Sequence, residues 1–342
     1  MRWLVALALT LAAAASHAAG WHFAIIGDTP YTEAERALLP AMLAQIAERQ
    51  PAFILHAGDI KSGGQRCDDA MYHDRRALFD AVSVPLVYTP GDNEWTDCHR
   101  ASNGAYDPVE RLAFLRRVFF AKPHSLGSPA MTVERQSDAS PAAPYPENLR
   151  WARDDVVFAT LNVTGSNNNF GKADAPSAEY RQRHAANLAW MADAFARAEA
   201  SDARLIVLAM QGDPHFNAYA AGKPPPGFAD FLDRLRAHVL ATERPVILIH
   251  GDSHMHKIDH PLKDMQGQAI ERFTRIDKNT MQYRMTIDDP GAYTKVFEGG
   301  FNLRWNQGEE LFEYVCQQAN YAAELMVGGE AESVDRSSAI IP

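Results

Sequence analysis

The chain has 342 residues, of which 46% are hydrophobic, 22% charged and 10% aromatic, and its formal net charge is −10. These proportions exclude a disordered, collagen-like or coiled-coil chain and allow one large or two medium domains with a substantial core. The acidic balance disfavours nucleic acid or an anionic membrane surface as the main partner. Three cysteines are too few for a disulfide scaffold.

The first residues have the three-part pattern of an export signal. A charged start, Met1-Arg2, precedes residues 3–15, which are apolar except for Thr10, and the small residues of Ser16-His17-Ala18 follow. This pattern predicts a cleaved signal peptide at residues 1–18; a short buried helix and an uncleaved anchor are the alternatives. No other segment is long and apolar enough to cross a bilayer. We therefore expect a periplasmic or secreted protein with no stable membrane insertion.

Short apolar segments alternate with helical patterns along the rest of the chain. The expected order is strand 22–26, helix 32–49, strand 53–57, helix 69–82, strand 85–89, helix 108–120, strand 156–163, helix 178–198, strand 204–210, helix 228–240 and strand 245–250. This alternation is typical of an α/β fold with open sheets.

The remaining segments have turn-rich or antiparallel patterns. Two antiparallel strands are expected at 269–276 and 281–287, joined by Asp277-Lys278-Asn279. Segments 121–150 and 164–177, which are rich in Pro, Ser, Asn and Gly, predict long surface loops. We expect residues 19–327 to form a single domain and residues 328–342 to form a flexible tail.

Five Gly-Asp dipeptides each follow an apolar strand-like run. They are Gly27-Asp28, Gly58-Asp59, Gly91-Asp92, Gly212-Asp213 and Gly251-Asp252. The aspartates of the first three are 31 and 33 residues apart, the length of a βαβ unit, so their carboxylates should meet at the C-terminal edge of one sheet. Converging carboxylates need shared protons, cations or an oxygen-preferring metal such as Mg, Mn or Ca. Alternatively, each Gly-Asp merely ends a strand, with its Asp capping the next helix.

Other polar and aromatic groups share these loops. His254, two residues past Asp252, is the favoured imidazole ligand; His215 and His256 are weaker candidates because a lone histidine is more often structural. Lys61 and Arg100 could clamp a phosphate or simply neutralise the carboxylates. Tyr31 and Trp95 could wall the site or pack within their loops.

Two of the cysteines are candidates for a disulfide. Cys67 and Cys98 lie in polar loops just past predicted strands. In an oxidising compartment they are expected to pair; the alternative is three unpaired thiols. A zinc site is disfavoured because neither cysteine belongs to a C-x-x-C pair.

The loop motifs, taken in order, resemble those of the calcineurin-like metallophosphoesterases. The five are Gly27-Asp28-Thr29-Pro30, Gly58-Asp59-Ile60-Lys61, Pro90-Gly91-Asp92-Asn93-Glu94, Gln211-Gly212-Asp213-Pro214 and Gly251-Asp252-Ser253-His254. The resemblance extends from about residue 21 to about residue 300. It implies a four-layer α/β/β/α sandwich of two mixed sheets, with two metal ions where the sheets meet.

The resemblance also implies roles for individual residues. Asp28 and His254 would bind the first metal, and Asp59 would bridge the two ions. The remaining ligand positions are taken by Asp92, Gln211 and Asp252. Asn93 stands where the family has the histidine that is thought to protonate the leaving group.

The motifs depart from the family pattern at several imidazole positions. Pro30 and Asp252 replace a histidine each, and the fourth motif offers Gln211 or Asp213 instead of one. The site therefore becomes richer in oxygen, which favours Mg, Mn or Ca over Fe or Zn. The tyrosine ligand of purple acid phosphatases has no evident match.

The leading hypothesis is a secreted metal-dependent phosphoesterase that acts on a small-molecule phosphate ester. A metal-activated water would attack phosphorus in line with the leaving oxygen, and Lys61 or Arg100 would steady the developing charge. His215 or a water would protonate the leaving group. The alternative is a non-catalytic binding protein on the same scaffold, with a cation such as the Lys61 ammonium among the carboxylates. Glycoside hydrolysis by paired carboxylates is a third class, which nothing in the spacing favours.

Overall fold

The computed structural model describes residues 20–140, 142–172, 175–255, 257–277, 280–287 and 297–304. The predicted signal peptide, the C-terminal tail and His256 lie outside these residues. None of the helices in the described part of the chain has the length and apolar character needed to span a membrane.

The first sheet contains three parallel strands that are joined by helices. Its elements are β1 (Ala24–Ile26), α1 (Glu33–Glu48), β2 (Ile54–His56), α2 (Asp69–Asp80) and β3 (Leu86–Tyr88). Helix α1 begins where the Thr32 hydroxyl accepts a hydrogen bond from the Glu35 amide. It buries Leu39, Leu43 and Ile46, which share one helix face at i, i+4 and i+7. Two 3₁₀ turns (Thr96–His99 and Ala101–Asn103) and α3 (Pro108–Phe119) follow.

The second sheet contains seven strands in the order β11-β12-β10-β9-β6-β5-β4. The elements of this half are, in chain order, β4 (Glu134–Arg135), α4 (Gln136–Ala139), β5 (Leu149–Arg153), β6 (Val156–Thr160), α5 (Gly165–Asn168), β7 (Gly171–Lys172), β8 (Ala175–Pro176), α6 (Ala178–Ala200), β9 (Leu205–Ala209), α7 (Phe216–Ala220), α8 (Pro226–Ala241), β10 (Val246–His250), β11 (Lys257–Asp259) and β12 (Phe273–Asp277). Strands β6, β9, β10 and β12 are parallel to their neighbours in this group, and the outer strands are antiparallel.

The two faces of the second sheet belong to different cores. Phe158 of β6 packs edge-on against Phe53, with ring centroids 5.2 Å apart, so this face shares a core with the first sheet. Val157, its neighbour in β6, points to the other face and shares a core with Trp190 of α6 and Phe231 of α8. The alternation of β-strand side chains thus places the first sheet against one face of the second sheet and helices α6 and α8 against the other.

The structure confirms the predicted α/β fold class and differs from the predicted element pattern in two details. The three strands of the first sheet are parallel, and an antiparallel bridge joins Leu86 of β3 to Leu126. The strands expected to form a hairpin do not pair, because β12 lies between β10 and β11; β13 (Thr280–Ile287) pairs with β14 (Phe297–Arg304) instead. Segment 121–150, expected as a loop, contains β4, α4 and the start of β5.

Cys67 and Cys98 form the expected disulfide, with Cα atoms 5.8 Å apart and a sequence separation of 31. Both sulfurs are fully buried and lie 3.7 and 3.8 Å from the carbonyl oxygen of Asn93. The bond therefore links the loop after β2 to the turn after β3, directly beneath one of the predicted site residues.

Removing this cross-link should destabilise the fold. The double variant Cys67→Ala/Cys98→Ala should lose about 3–4 kcal/mol of unfolding free energy, because an open chain of this length regains loop entropy when it unfolds. Urea unfolding followed by circular dichroism measures the loss. Reductant should destabilise the wild type by a similar amount and leave the double variant unaffected. Equal unfolding midpoints for oxidised wild type and double variant would contradict the prediction.

Candidate metal centre

Four of the Gly-Asp carboxylates converge at the ends of four strands. Asp28 follows β1, Asp59 follows β2, Asp92 follows β3 and Asp252 follows β10. Together with His254 they form two groups, Asp28/Asp59/His254 and Asp59/Asp92/Asp252, in which the ligand atoms of each group lie within 4.8 Å of one another. Asp59 belongs to both groups and is therefore placed to bridge two ions.

Glycine is required where these loops approach one another. A Cβ on Gly91 would lie 2.1 Å from Asp59 Oδ1, and a Cβ on Gly58 would lie 2.6 Å from Gln211 Cγ. Gly58 also has a φ of +87°, which a residue with a side chain adopts only at a cost. The Gly-Asp pattern is thus explained by close packing of the backbone of one loop against the side chains of the next.

The first group is built around the hydroxyl of Tyr31. This oxygen lies 3.2 Å from Asp28 Oδ1, 3.1 Å from Asp59 Oδ2 and 3.2 Å from His254 Nε2. The His254 ring is half-exposed, whereas the side chain of Asp28 is 1% exposed. Burial, followed by the negative charges of Asp59 and Asp28, raises the pKa of Tyr31, so the phenol is neutral in the metal-free protein.

The second group is oriented by amide and backbone donors. Gln211 donates from Nε2 to Asp92 Oδ1 at 3.1 Å, while its Oε1 accepts the Gly165 amide at 2.6 Å. The amide of Asp213 donates to Asp252 Oδ2 at 3.2 Å. Gln211, expected as a ligand, thus presents its nitrogen to Asp92 in this arrangement and keeps its oxygen on the backbone.

Glu94 fastens two of the loops to each other. Its Oε1 accepts the amides of Gly91 at 2.6 Å and Asp59 at 3.1 Å, and the Tyr88 hydroxyl at 2.7 Å. The side chain is fully buried, and this burial raises its pKa to about 7. Oε2 has no hydrogen-bond partner among the described residues. Glu94 is not among the residues that the sequence pattern assigns to the site.

A left-handed turn forms one wall of the second group. Ser166 to Asn169 all have φ between 50° and 54°, an unusual run for residues with side chains. The Ser166 hydroxyl lies 2.7 Å from Asp92 Oδ2 and 2.8 Å from Asp97 Oδ1. A Cβ on the preceding Gly165 would lie 2.7 Å from Asp252 Oδ2. The turn therefore places the Ser166 hydroxyl and the backbone of Gly165, which has no side chain, in contact with the carboxylates.

Arg183 of α6 holds this turn in place. Its fully buried guanidinium donates to Asn168 Oδ1 at 2.6 Å and to the Asn168 carbonyl at 2.9 Å, and it stacks on the Trp95 ring. On the other side, the Gly227 amide donates to Asn167 Oδ1 at 2.9 Å. These contacts from two helices offset the backbone strain that the left-handed residues carry.

Two predicted cations lie at different depths. Lys61 is fully buried and donates from Nζ to the Ser62 carbonyl at 3.0 Å; burial lowers its pKa to about 8, against the opposing influence of Glu94. Arg100 is half-exposed and pairs with Asp97 at 2.8 Å. Arg100 is therefore accessible from solvent, whereas Lys61 acts on the carboxylates from within the protein. Their roles as substrate ligands stay predictions.

Asn93 and His215, the predicted catalytic residues, are also placed differently. Asn93 binds Asp59 twice, from its backbone amide at 3.2 Å and from Nδ2 at 2.9 Å. His215 is half-exposed, and its Nδ1 lies 3.6 Å from Asp213 Oδ2. Within the described part of the chain, Asp213 links His215 to the second group, because the Asp213 amide donates to Asp252.

The charge balance of the cluster favours a bound cation. The converging acids are Asp28, Asp59, Asp92, Glu94, Asp97 and Asp252, and their described cationic neighbours are Lys61, Arg100 and, when protonated, His254. Burial and the neighbouring carboxylates raise the pKa of Asp59 well above its usual range and that of Asp252 to about 7. Carboxylates with a single imidazole form an oxygen-rich set that suits Mg, Mn or Ca, so the residues present fit a pair of divalent metal ions.

The sequence model of the calcineurin-like phosphoesterase family matches residues 22–256. No curated protein matches the chain significantly. Among solved structures, a dimetal phosphatase from Danio rerio is similar with a TM-score of 0.47 and 14% identity, covering 75% of this chain and 86% of that chain. A purple acid phosphatase from yellow lupin (Lupinus luteus) seeds is similar with a TM-score of 0.44 and 10% identity, covering 75% of this chain and 43% of that chain.

The metal-free protein should become less stable as pH rises. Glu94 keeps its proton up to about pH 7 in the folded state, whereas an ordinary glutamate loses it near 4.5. The stabilisation is therefore complete below pH 4.5 and is lost as pH rises through 7, and Asp252 acts in the same direction. In chelator, Glu94 alone should lower the unfolding free energy by on the order of 3 kcal/mol across this window, and Asp252 should add to the fall.

Urea unfolding at a series of pH values measures this slope. Glu94→Gln, which keeps the acceptor but cannot ionise, should show a shallower fall. A chelated wild type that gains stability between pH 5 and pH 7 would contradict the assignment of raised pKa values.

Proposed function

Because the chain belongs to the calcineurin-like phosphoesterase family, we propose that it is an exported metal-dependent enzyme that hydrolyses small phosphate esters. The observation that carries the proposal is the shared position of Asp59 in two groups of candidate ligands. Export is supported by the export-signal pattern at the amino terminus and by the buried disulfide, which is typical of oxidising compartments.

The residues of the cluster prepare the site for a phosphate ester. When bound, the metal ions would polarise the phosphoryl group and lower the pKa of the attacking water. Asp59 is held by two hydrogen bonds from Asn93, which fix the orientation of the bridging carboxylate. Asp92 is held by Gln211 on one oxygen and by Ser166 on the other. Preorganised ligands of this kind need little rearrangement during reaction.

Two accessible side chains can act on the substrate from the rim. The guanidinium of Arg100, fixed by Asp97, can bind phosphoryl oxygens that gain charge in the transition state. The imidazole of His215, oriented by Asp213, can donate a proton to the leaving oxygen. His215 would thereby supply the acid function that Asn93, an amide, does not offer.

A non-catalytic binding protein is the second candidate. The buried ammonium of Lys61 favours it, because such a cation partly neutralises the carboxylates without any metal. One buried ammonium does not balance the six acids of the cluster, however. Among these acids, Glu94 has the largest electrostatic effect on the pKa of Lys61, larger than that of Asp59. We therefore favour the enzyme.

The bridging carboxylate provides the first test. Asp59→Ala should abolish hydrolysis of an aryl phosphate mono- or diester measured with added Mg²⁺, Mn²⁺ or Zn²⁺, and chelation should abolish wild-type activity. Asp230→Ala, which removes a surface partner of His184, is the matched control and should remain active. Full activity of the Asp59 variant would remove this mechanism, and a wild type inactive with every ion would favour the binding protein.

The leaving group provides the second test, directed at His215. His215→Asn should slow hydrolysis of alkyl phosphates, whose leaving oxygen needs a proton, by about 10²-fold or more, and should spare p-nitrophenyl phosphate. The control is His184→Asn, since His184 also pairs with an aspartate, at 2.9 Å, but in a different part of the fold. An equal loss for both substrate classes would exclude the acid role.

A further inference from the structure

We propose that a cavity on the helix-covered face of the second sheet is a binding site for a small anion that carries a carboxylate or phosphate group. The cavity has a volume of about 250 Å³ and lies among β4, β5, β6 and α6. The described residues that line it are all distinct from those of the metal cluster. The proposal therefore concerns a second site and does not depend on hydrolysis.

The cavity opens where the short strand β4 leaves the strand beside it. Glu134 of β4 pairs with Arg150 of β5 in antiparallel register. Two residues earlier, Thr132 forms a bridge with His124 instead of continuing along β5. The chain thus turns away from the sheet edge at this point, and β5 continues beyond Arg150 without β4 beside it.

The floor of the cavity is apolar. Ala152 of β5 and Val157 of β6 lie opposite each other in the antiparallel pair, so their side chains share one face of the sheet. Both residues line the cavity, and Val157 belongs to the core between the sheet and the helices α6 and α8. The short side chain of Ala152 leaves space above the strand, and the hydrocarbon part of a small ligand can rest there.

Two guanidinium groups form one wall of the cavity. Arg150 is buried, stacks on the Trp190 ring and donates from Nε and Nη2 to Glu134 Oε2 at 3.2 and 3.0 Å. Arg197 of α6 has its Nη1 3.8 Å from the same oxygen, which is too far for a hydrogen bond. Within the described part of the chain, Arg150 Nη1 and the whole Arg197 guanidinium therefore have donors that no acceptor uses.

The charge of the lining residues favours an anion. Arg150 and Arg197 share one carboxylate, that of Glu134, which leaves one positive charge in excess. A carboxylate or a phosphate group matches the paired donors of a guanidinium. The chain as a whole carries a net charge of −10, so its average surface repels anions. A cavity with the opposite sign of charge and free donors is therefore the place where a small anion should bind.

Titration calorimetry with inorganic phosphate and with butyrate, at constant ionic strength, tests the proposal. The full chain is kept in chelator, so that phosphate held by metal ions makes no contribution. At least one of the two anions should show saturable binding to one site at millimolar concentration. Arg197→Gln should weaken this binding by about tenfold or more, because it removes a charged hydrogen-bond donor.

Two further variants separate this site from a general effect of charge. Arg234→Gln is the matched control, since Arg234 is also an exposed helix arginine with one weak partner, Asp230 at 3.5 Å. It removes the same charge away from the cavity and should bind the anion as the wild type does. Ala152→Phe fills the cavity, leaves every charge in place and suits a strand position, and it should exclude the anion.

The outcomes distinguish the two ligand classes and decide the proposal. Binding of phosphate alone assigns a phosphorylated ligand, and binding of butyrate alone assigns a carboxylate with a hydrocarbon body. Absence of saturable binding for both anions overturns the proposal. So does binding that Arg197→Gln or Ala152→Phe leaves unchanged, or that Arg234→Gln weakens equally. Because the protein is metal-free in this experiment, its result is independent of whether the protein hydrolyses phosphate esters.

Discussion

The mutual repulsion of carboxylates around Asp59 is the constraint on which the site depends. Asp59 is almost fully buried, and Asp92, Glu94, Asp28 and Asp252 all act to raise its pKa. A fold gathers such groups only where hydrogen bonds and cations compensate for lost hydration. Each carboxylate in the described cluster accordingly receives at least one neutral donor, and the amides of Asn93 and Asp252 are two of these. The same donors also fix the orientation of each carboxylate. The hydrogen bonds that compensate for lost hydration therefore position the candidate metal ligands as well.

Stability and site geometry are coupled through the loops rather than through the sheets. The sheets are held by apolar cores; the three-residue strands β2 and β3, for example, are fully buried. The loops that follow them are held by polar and covalent links: the Cys67–Cys98 bond beneath Asn93, and Glu94 between the second and third loops. Because these links join loops whose carboxylates repel, their loss should disturb the geometry of the site as well as lower the stability of the fold.

The parts of the site that follow the strand pattern could be predicted from the sequence. A Gly-Asp at the end of a parallel strand has a defined place, so Asp28, Asp59 and Asp92 were expected together. Contacts that depend on tertiary approach gave no such signal. Ser166 reaches Asp92 only through a left-handed turn held by helices more than ten residues later in the chain, and its Ser-Asn-Asn-Asn sequence is equally typical of an ordinary solvated loop. The pairing of β12 with β10 and β11 could not be predicted for a similar reason. A strand's partners depend on the arrangement of the whole sheet and not on its own sequence.

A buried lysine supplies part of the positive charge that the carboxylates around Asp59 require. A neutral histidine adds no charge to a metal site, whereas an aspartate such as Asp252 adds one negative charge in its place. The added charge must be balanced within the protein, at least until a metal binds. Lys61 is fully buried, and although burial lowers its pKa to about 8, the surrounding acids keep it largely protonated at neutral pH. The Lys61 ammonium lies in the protein interior, so it does not block access of an ion or a substrate to the carboxylates from solvent.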